Sequence, residues 1–160
     1  MNDRYFTTLN SPIGELLLTG DEGCLTGLYM AAANDYSDKR KARTRNDAAF
    51  ADAAVQLSEY FAGERREFDL RCSPSGTPFQ KNVWRALSEI PYGETRSYGE
   101  IAAAVGRPKA ARAVGMANNR NPIAVVVPCH RVIGASGSLV GYGGGLDRKT
   151  LLLSLERGDG

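Results

Sequence analysis

The chain has 160 residues, enough for one ordinary domain or two small ones, and its 42% hydrophobic and 24% charged content is that of a soluble globular protein. No apolar stretch approaches the roughly 20 residues that span a bilayer, and residues 1–10 lack a secretory pattern, so no membrane association and a cytoplasmic location are expected. The net charge of +2 is uneven: residues 1–75 hold 9 Lys and Arg against 12 Asp and Glu, and residues 76–160 hold 11 against 6. The basic half could attract a polyanion, although an ordinary solvated surface gives the same balance.

In chain order, residues 4–9, 15–19 and 24–30 alternate as strands, separated by turn chemistry at Ser11-Pro12 with Gly14 and at Gly20 to Gly23. The polar stretch from Asn34 to Arg45 reads as a mobile loop. Asn46 is placed to cap a helix with Phe50, Ala54, Leu57 and Phe61 on one face and Gly63 as its stop. This half reads as a small α/β layer without chemistry of its own. Pro74, Gly76 and Pro78 mark a junction, which divides the chain into residues 1–75 and 76–160.

Thr77-Pro78 is a helix start, with Pro at the first helical position. Phe79, Val83, Trp84, Leu87 and Ile90 form the apolar stripe that follows, which makes Trp84 a core residue. Next comes a helix-turn-helix pattern. Ser97 caps a short helix with Tyr98, Ile101, Ala102 and Val105 on one face, and Gly106 closes it. Pro108 opens a second helix, Lys109 to about Asn118, with Ala110, Ala113, Val114 and Ala117 inward. Such pairs dock on DNA, and many others do not. Small residues on the second helix (Ala110, Ala111, Ala113, Gly115, Ala117) let it approach another surface closely, either its own core or a groove.

Asn121-Pro122 breaks that helix, and Ile123 to Val127 reads as a buried strand leading into Pro128-Cys129-His130-Arg131-Val132-Ile133. A glycine-rich loop follows, then a last helix capped by Asp147, with Leu151, Leu152 and Leu155 on its stripe and Gly158 past its end. Of the three cysteines, Cys24, Cys72 and Cys129, only Cys129 adjoins the single histidine, His130. Their spacing matches no common zinc pattern. A thiol is nucleophilic once ionised, and a histidine oriented by an acid could remove its proton. Adjacent side chains on a strand diverge, so contact requires a turn at Cys129 or a bridging water. A Cys-His pair alone is equally compatible with an inert buried cysteine.

With these motifs laid out, the chain resembles the O6-alkylguanine-DNA alkyltransferases, also called methylated-DNA–protein-cysteine methyltransferases. The resemblance is carried by SYGEIA at 97–102, RAVG at 112–115, NRNP at 119–122, PCHRVI at 128–133, YGGGL at 142–146 and LLLSLE at 151–156. Residues 1–75 resemble the family's variable first domain only loosely. The resemblance implies an α/β fold: a small RNase H-like N-terminal domain, then a mainly helical domain with a winged helix-turn-helix-like DNA-binding unit.

It further implies single-turnover removal of the alkyl group from O6-alkylguanine, and O4-alkylthymine, in double-stranded DNA. Cys129 would be the acceptor, His130 its base through a water, and Glu156 the orienting acid. Asn121 would brace the turn, and Tyr142 would donate a hydrogen bond to the departing guanine. Arg112 would fill the gap in the duplex and Tyr98 would help turn the nucleotide outward. Ala113 and Gly115 would lie at the DNA, and Val132 and Gly143 would line the base pocket. No cofactor or metal is implied, and the protein would be a monomer in isolation, with clustering along DNA left open. A non-catalytic subfamily that binds alkylated bases has tryptophan at the acceptor position, where this chain has Cys129. A Cys-His hydrolase lacks support from any oxyanion-binding signal.

Overall fold

A computed structural model of the chain describes residues 3–31, 36–134 and 146–158. It divides into two compact units, Met1–Ser75 and Gly76–Gly160.

In the first unit, β1 (Tyr5–Leu9), β2 (Leu16–Asp21) and β3 (Cys24–Met30) form an antiparallel meander. A two-residue β4 (Thr44–Arg45) adds to β1 in parallel, giving the order β3-β2-β1-β4. Leu16, Leu17 and Leu18 are all fully buried, as suits an interior strand. The register slips between Thr19 and Gly20, where a Cβ on Gly20 would lie 2.1 Å from the Cys24 carbonyl oxygen; only glycine fits that bulge.

The expected loop at 34–45 is corrected from Tyr36 onward, residues 34 and 35 lying outside the described residues. It contains α1 (Tyr36–Lys41) and then β4. The stretch is tied down by partners far away in sequence. Arg43 Nε donates to Asp3 at 3.1 Å, and the amides of Thr44 and Asn46 donate to the carbonyls of Arg4 and Phe6 at 3.0 Å.

Asn46 does cap: its side chain accepts from the Ala49 amide at 3.2 Å, over a 3-10 turn that leads into α2 (Ala51–Phe61). The buried stripe is Phe50, Ala53, Leu57 and Tyr60, one residue away from the expected Ala54 and Phe61. The 3-10 turn at the helix start rotates the following face.

The second unit is built on α3 (Pro78–Ser88), α4 (Tyr98–Ala104), α5 (Ala111–Asn119) and α6 (Leu146–Arg157). Both α3 and α4 begin with a reciprocal capping box. Thr77 and Gln80 exchange bonds of 3.1 and 2.9 Å, and Ser97 and Glu100 exchange bonds of 3.1 and 2.8 Å. Val83, Trp84, Leu87 and Ile90 are buried as expected, and Trp84 Nε1 donates to the Ala117 carbonyl at 2.8 Å, fastening α3 to α5.

Two boundaries differ from expectation. Pro108 opens a turn, with the Ala110 amide on the Arg107 carbonyl at 2.9 Å, and α5 starts only at Ala111. Its buried face is therefore Val114, Ala117 and Asn118, leaving Ala113 exposed instead of inward. On α6, Asp147 sits inside the first turn and does not cap the helix. The buried positions are Lys149, Leu152, Leu153 and Glu156, whereas Leu151 is half exposed.

Candidate active site

The segment leading to Cys129 is buried, with Ile123, Val125 and Val127 in the core, but it is not a strand. It is a run of tight turns. Val126 donates to the Ala124 carbonyl at 2.8 Å, Val127 to Ile123 at 3.0 Å, and Cys129 to Val127 at 2.8 Å. Val125 is forced to φ 69, a left-handed value costly for a β-branched residue.

Asn121 takes the place of a neighbouring strand. Its Oδ1 accepts from the Ile123 amide at 3.0 Å, and its Nδ2 donates to the Val127 carbonyl at 2.8 Å. One side chain thus satisfies groups at both ends of the turn, which no extended pairing could do over five residues.

Cys129, His130 and Arg131 form a 3-10 turn, so the two adjacent side chains need not diverge as on a strand. Immediately after it, β6 (Val132–Ile133) pairs in parallel with β5 (Arg96–Ser97), in the register Arg96↔Val132 and Ser97↔Ile133. Ser97, which caps α4, is therefore also stitched to the residue two beyond Arg131. The start of the helix pair and the cysteine turn are held in one register.

Cys129 is buried at 5% exposure and is not in a disulfide, nor are Cys24 and Cys72. Burial pushes the Cys72 thiol up to about 11, which makes it a poor nucleophile. His130 is fully buried, and its Nε2 lies 2.7 Å from Glu156 Oε2. The Glu156 carboxylate also receives Arg131 Nε at 2.7 Å and Arg131 Nη2 at 2.9 Å.

Every partner of Glu156 named here is a donor if His130 carries its proton on Nε2. That tautomer leaves a lone pair on Nδ1, an atom that is buried with no hydrogen-bond partner among the described residues. Burial holds the imidazole below its ordinary range, against the upward pull of the Glu156 hydrogen bond. A neutral imidazole with a bare Nδ1 is a proton acceptor, and the thiol of Cys129 is next to it in sequence.

Two charged residues not anticipated from the sequence complete the surroundings. Arg131 is one. Lys149 is the other: it is fully buried on α6, and its Nζ donates to the Val132 carbonyl at 2.6 Å. Burial lowers the Lys149 ammonium's pKa, and negative charge on Cys129 opposes that shift. The same negative charge, added to burial, raises the Tyr98 phenol. Tyr98 and Lys149 therefore both lie within electrostatic reach of the thiol. The legible signal for Lys149 was its spacing: positions 149, 152, 153 and 156 are one helical face, with opposite charges at its two ends.

The other expected site residues are placed as follows. Arg112 and Ala113 are exposed on α5. Gly115 is half-buried, and a methyl group there would sit 3.7 Å from the Tyr98 ring, so it faces α4 and not solvent. Val132 is buried, with its carbonyl engaged by Lys149. Tyr142 and Gly143 lie outside the described residues. Among the described residues, no group of three or more His, Cys, Asp or Glu side chains could hold a metal ion, and no helix is long and apolar enough to cross a membrane.

Comparison with known proteins matches both units of the chain to one family. Residues 4–74 match the family model described as 6-O-methylguanine DNA methyltransferase, ribonuclease-like domain, and residues 78–158 match the DNA binding domain of the same description. A methylated-DNA–protein-cysteine methyltransferase of Mycolicibacterium paratuberculosis is 60% identical, over 95% of this chain and 92% of that protein. One from Methanosarcina acetivorans is 55% identical, over 95% and 97%.

The crystal structure of Mycobacterium tuberculosis O6-methylguanine methyltransferase superposes with a TM-score of 0.91 at 55% identity, covering 98% of this chain and 94% of that one. Mycobacterium tuberculosis OGT in complex with DNA gives 0.91 at 55%, covering 96% and 93%. With both units matched and named relatives up to 60% identical over nearly the whole chain, this chain belongs to the methylated-DNA–protein-cysteine methyltransferase family.

Proposed function

We propose that this protein repairs O6-alkylguanine in double-stranded DNA by moving the alkyl group irreversibly onto Cys129. The observation that carries the reading is the buried hydrogen bond of 2.7 Å between His130 Nε2 and Glu156, which leaves Nδ1 of a neutral imidazole as the base next in sequence to a buried thiol. The likeness to named methyltransferases, over nearly the whole chain, supports it.

The steps balance without a cofactor. The Cys129 proton passes to His130 Nδ1 through a water. The thiolate attacks the alkyl carbon in line, a C–S bond forms, and the C–O6 bond breaks with its electron pair going to the guanine. Tyr142 donates a hydrogen bond to the departing guanine, and the proton taken up by His130 passes on through water to that base, so guanine leaves neutral. The product is a thioether, which no group in the site can cleave, so each molecule reacts once.

The alkyl carbon is out of reach inside a base stack, so the nucleotide must be turned out at a cost of a few kcal/mol. Arg112, exposed on α5, enters the gap; Ala113 allows close approach, and Tyr98, with Gly115 behind it, crowds the backbone. Exposed Arg107, Lys109 and Arg120 around α5 supply phosphate contacts. Asn121 holds the cysteine turn, and Val132 lies at the base pocket. One chain supplies acceptor, base and acid, which fits a monomer. A nucleophile that must stay reduced fits the cytoplasm.

The test is a count of transferred label. Duplex DNA containing labelled O6-methylguanine should leave one equivalent on the protein, on the peptide bearing Cys129. Repeated turnover, or label on Cys24 or Cys72, overturns the reading.

A further inference from the structure

We infer that Arg131 is a positioning residue for this reaction: it clamps Glu156 so that His130 stays neutral, with its proton on Nε2 and its lone pair on Nδ1. The inference rests on the proposed role of His130 as base.

The geometry is that of a fixed fork. Arg131 Nε donates to Glu156 Oε1 at 2.7 Å and Nη2 to Oε2 at 2.9 Å, while Nη1 reaches the Ile90 carbonyl at 2.7 Å. The guanidinium also lies over the Tyr92 ring, 5.7 Å from its centroid. The Arg131 side chain is 8% exposed and that of Glu156 is 1% exposed. A planar cation held on three sides and from one face cannot swing away, and it does not deprotonate.

Glu156 Oε2 is shared, accepting from both Arg131 Nη2 and His130 Nε2. In a dry interior, a carboxylate facing imidazole alone would favour the imidazolium, and a protonated His130 cannot accept the thiol proton. With Arg131 in place the carboxylate's charge is already matched. A second cation on the ring would then face Arg131 from its own turn and Lys149 from α6, and both disfavour it. Among the described residues, Cys129 lies in the same turn, Tyr98 on α4 is within electrostatic reach of that thiol, and Tyr92 after α3 lies against the Arg131 guanidinium; none of the three is an anion while it is protonated. Removing Arg131 therefore lets the His130–Glu156 pair bind a proton at higher pH. With that proton on the ring, Nδ1 ceases to be a base.

His130 is the only histidine, so its ring signals in an NMR titration are unambiguous. That titration, without substrate, is paired with the rate of transfer to free O6-benzylguanine against pH for the wild type, Arg131→Met and Arg131→Lys. In Arg131→Met the His130 titration should move up by about one pH unit or more. The acid limb of the rate should move with it, and the lost rate should return at alkaline pH. Arg131→Lys keeps the charge without the fork and should shift less. A rate lowered by the same factor at every pH, with the titration unmoved, overturns the inference. If Arg131→Met does not fold, the same comparison is decided by Arg131→Lys, where an unmoved titration and an unmoved limb together overturn it. Absence of transfer by the wild type would fault the proposed reaction, and the imidazole titration would still judge Arg131.

Discussion

His130 concentrates the chemistry of the site in one ring, and its burial has a consequence for folding. Its pKa is held below the ordinary value of 6.5 in the native protein, with burial as the cause. Below about pH 6.5 the unfolded chain takes up a proton that the native ring refuses, so stability should fall as pH drops through that range and be flat above it. For one proton the slope is at most about 1.4 kcal/mol per pH unit. Urea midpoints measured against pH should show this loss in the wild type and a flatter profile in His130→Gln; an identical slope in both would assign the acid sensitivity elsewhere. The adjacency of Cys129 and His130 is readable in the sequence. Arg131 and Lys149 were passed over because charged side chains are read as solvated unless a buried partner is known, and the partners here, Glu156, Ile90 and Val132, are 25, 41 and 17 residues away.

Elements with local causes were legible. The capping boxes of α3 and α4 are written within four residues, and β3 occupies its expected span. The segment from Ile123 to Val127 misled because an apolar β-branched run has the composition of a strand. Its actual conformation depends on the Asn121 amide bridging it. Asn121→Ala removes two good hydrogen bonds and leaves the buried Ile123 amide unmatched, while the Val127 carbonyl keeps its bond from the Cys129 amide. That should cost roughly 2–3 kcal/mol, in a turn already carrying about 1–3 kcal/mol of backbone strain at Val125. Urea denaturation should show the loss, and the rate of alkyl transfer should fall with it because Cys129 is hydrogen-bonded into the same turn. Unchanged stability would mean that the turn is held by packing alone. The α1 and β4 elements were missed for the opposite reason: their sequence is polar and charged, and the Arg43–Asp3 and β1–β4 contacts that order them span about 40 residues.

At the scale of the molecule, the second unit holds both the Cys129 turn and the exposed basic residues on and beside α5, Arg107, Lys109, Arg112 and Arg120, and the two functions should be separable. Arg112 is exposed and lies outside the His130–Glu156–Arg131 network. Arg112→Ala should therefore slow repair of duplex DNA by an order of magnitude or more, since the variant no longer fills the gap left by the turned-out base. Reaction with free O6-benzylguanine, which needs no flipping, should change little. Equal losses on both substrates would place Arg112 in the chemistry and not at the duplex.

The amino-acid order alone was sufficient for the α/β class, the helix pair, the family and the adjacency of Cys129 and His130. All of these rest on periodicities, caps and motifs that lie within a few residues of one another. Which acid meets the histidine, which cations surround it and which ring nitrogen stays bare are set by contacts between α6, the 3-10 turn and the end of α3. Burial free energy and hydrogen-bond satisfaction act on distances in space. No local pattern encodes a pairing between positions 131 and 156 until the chain has folded around it.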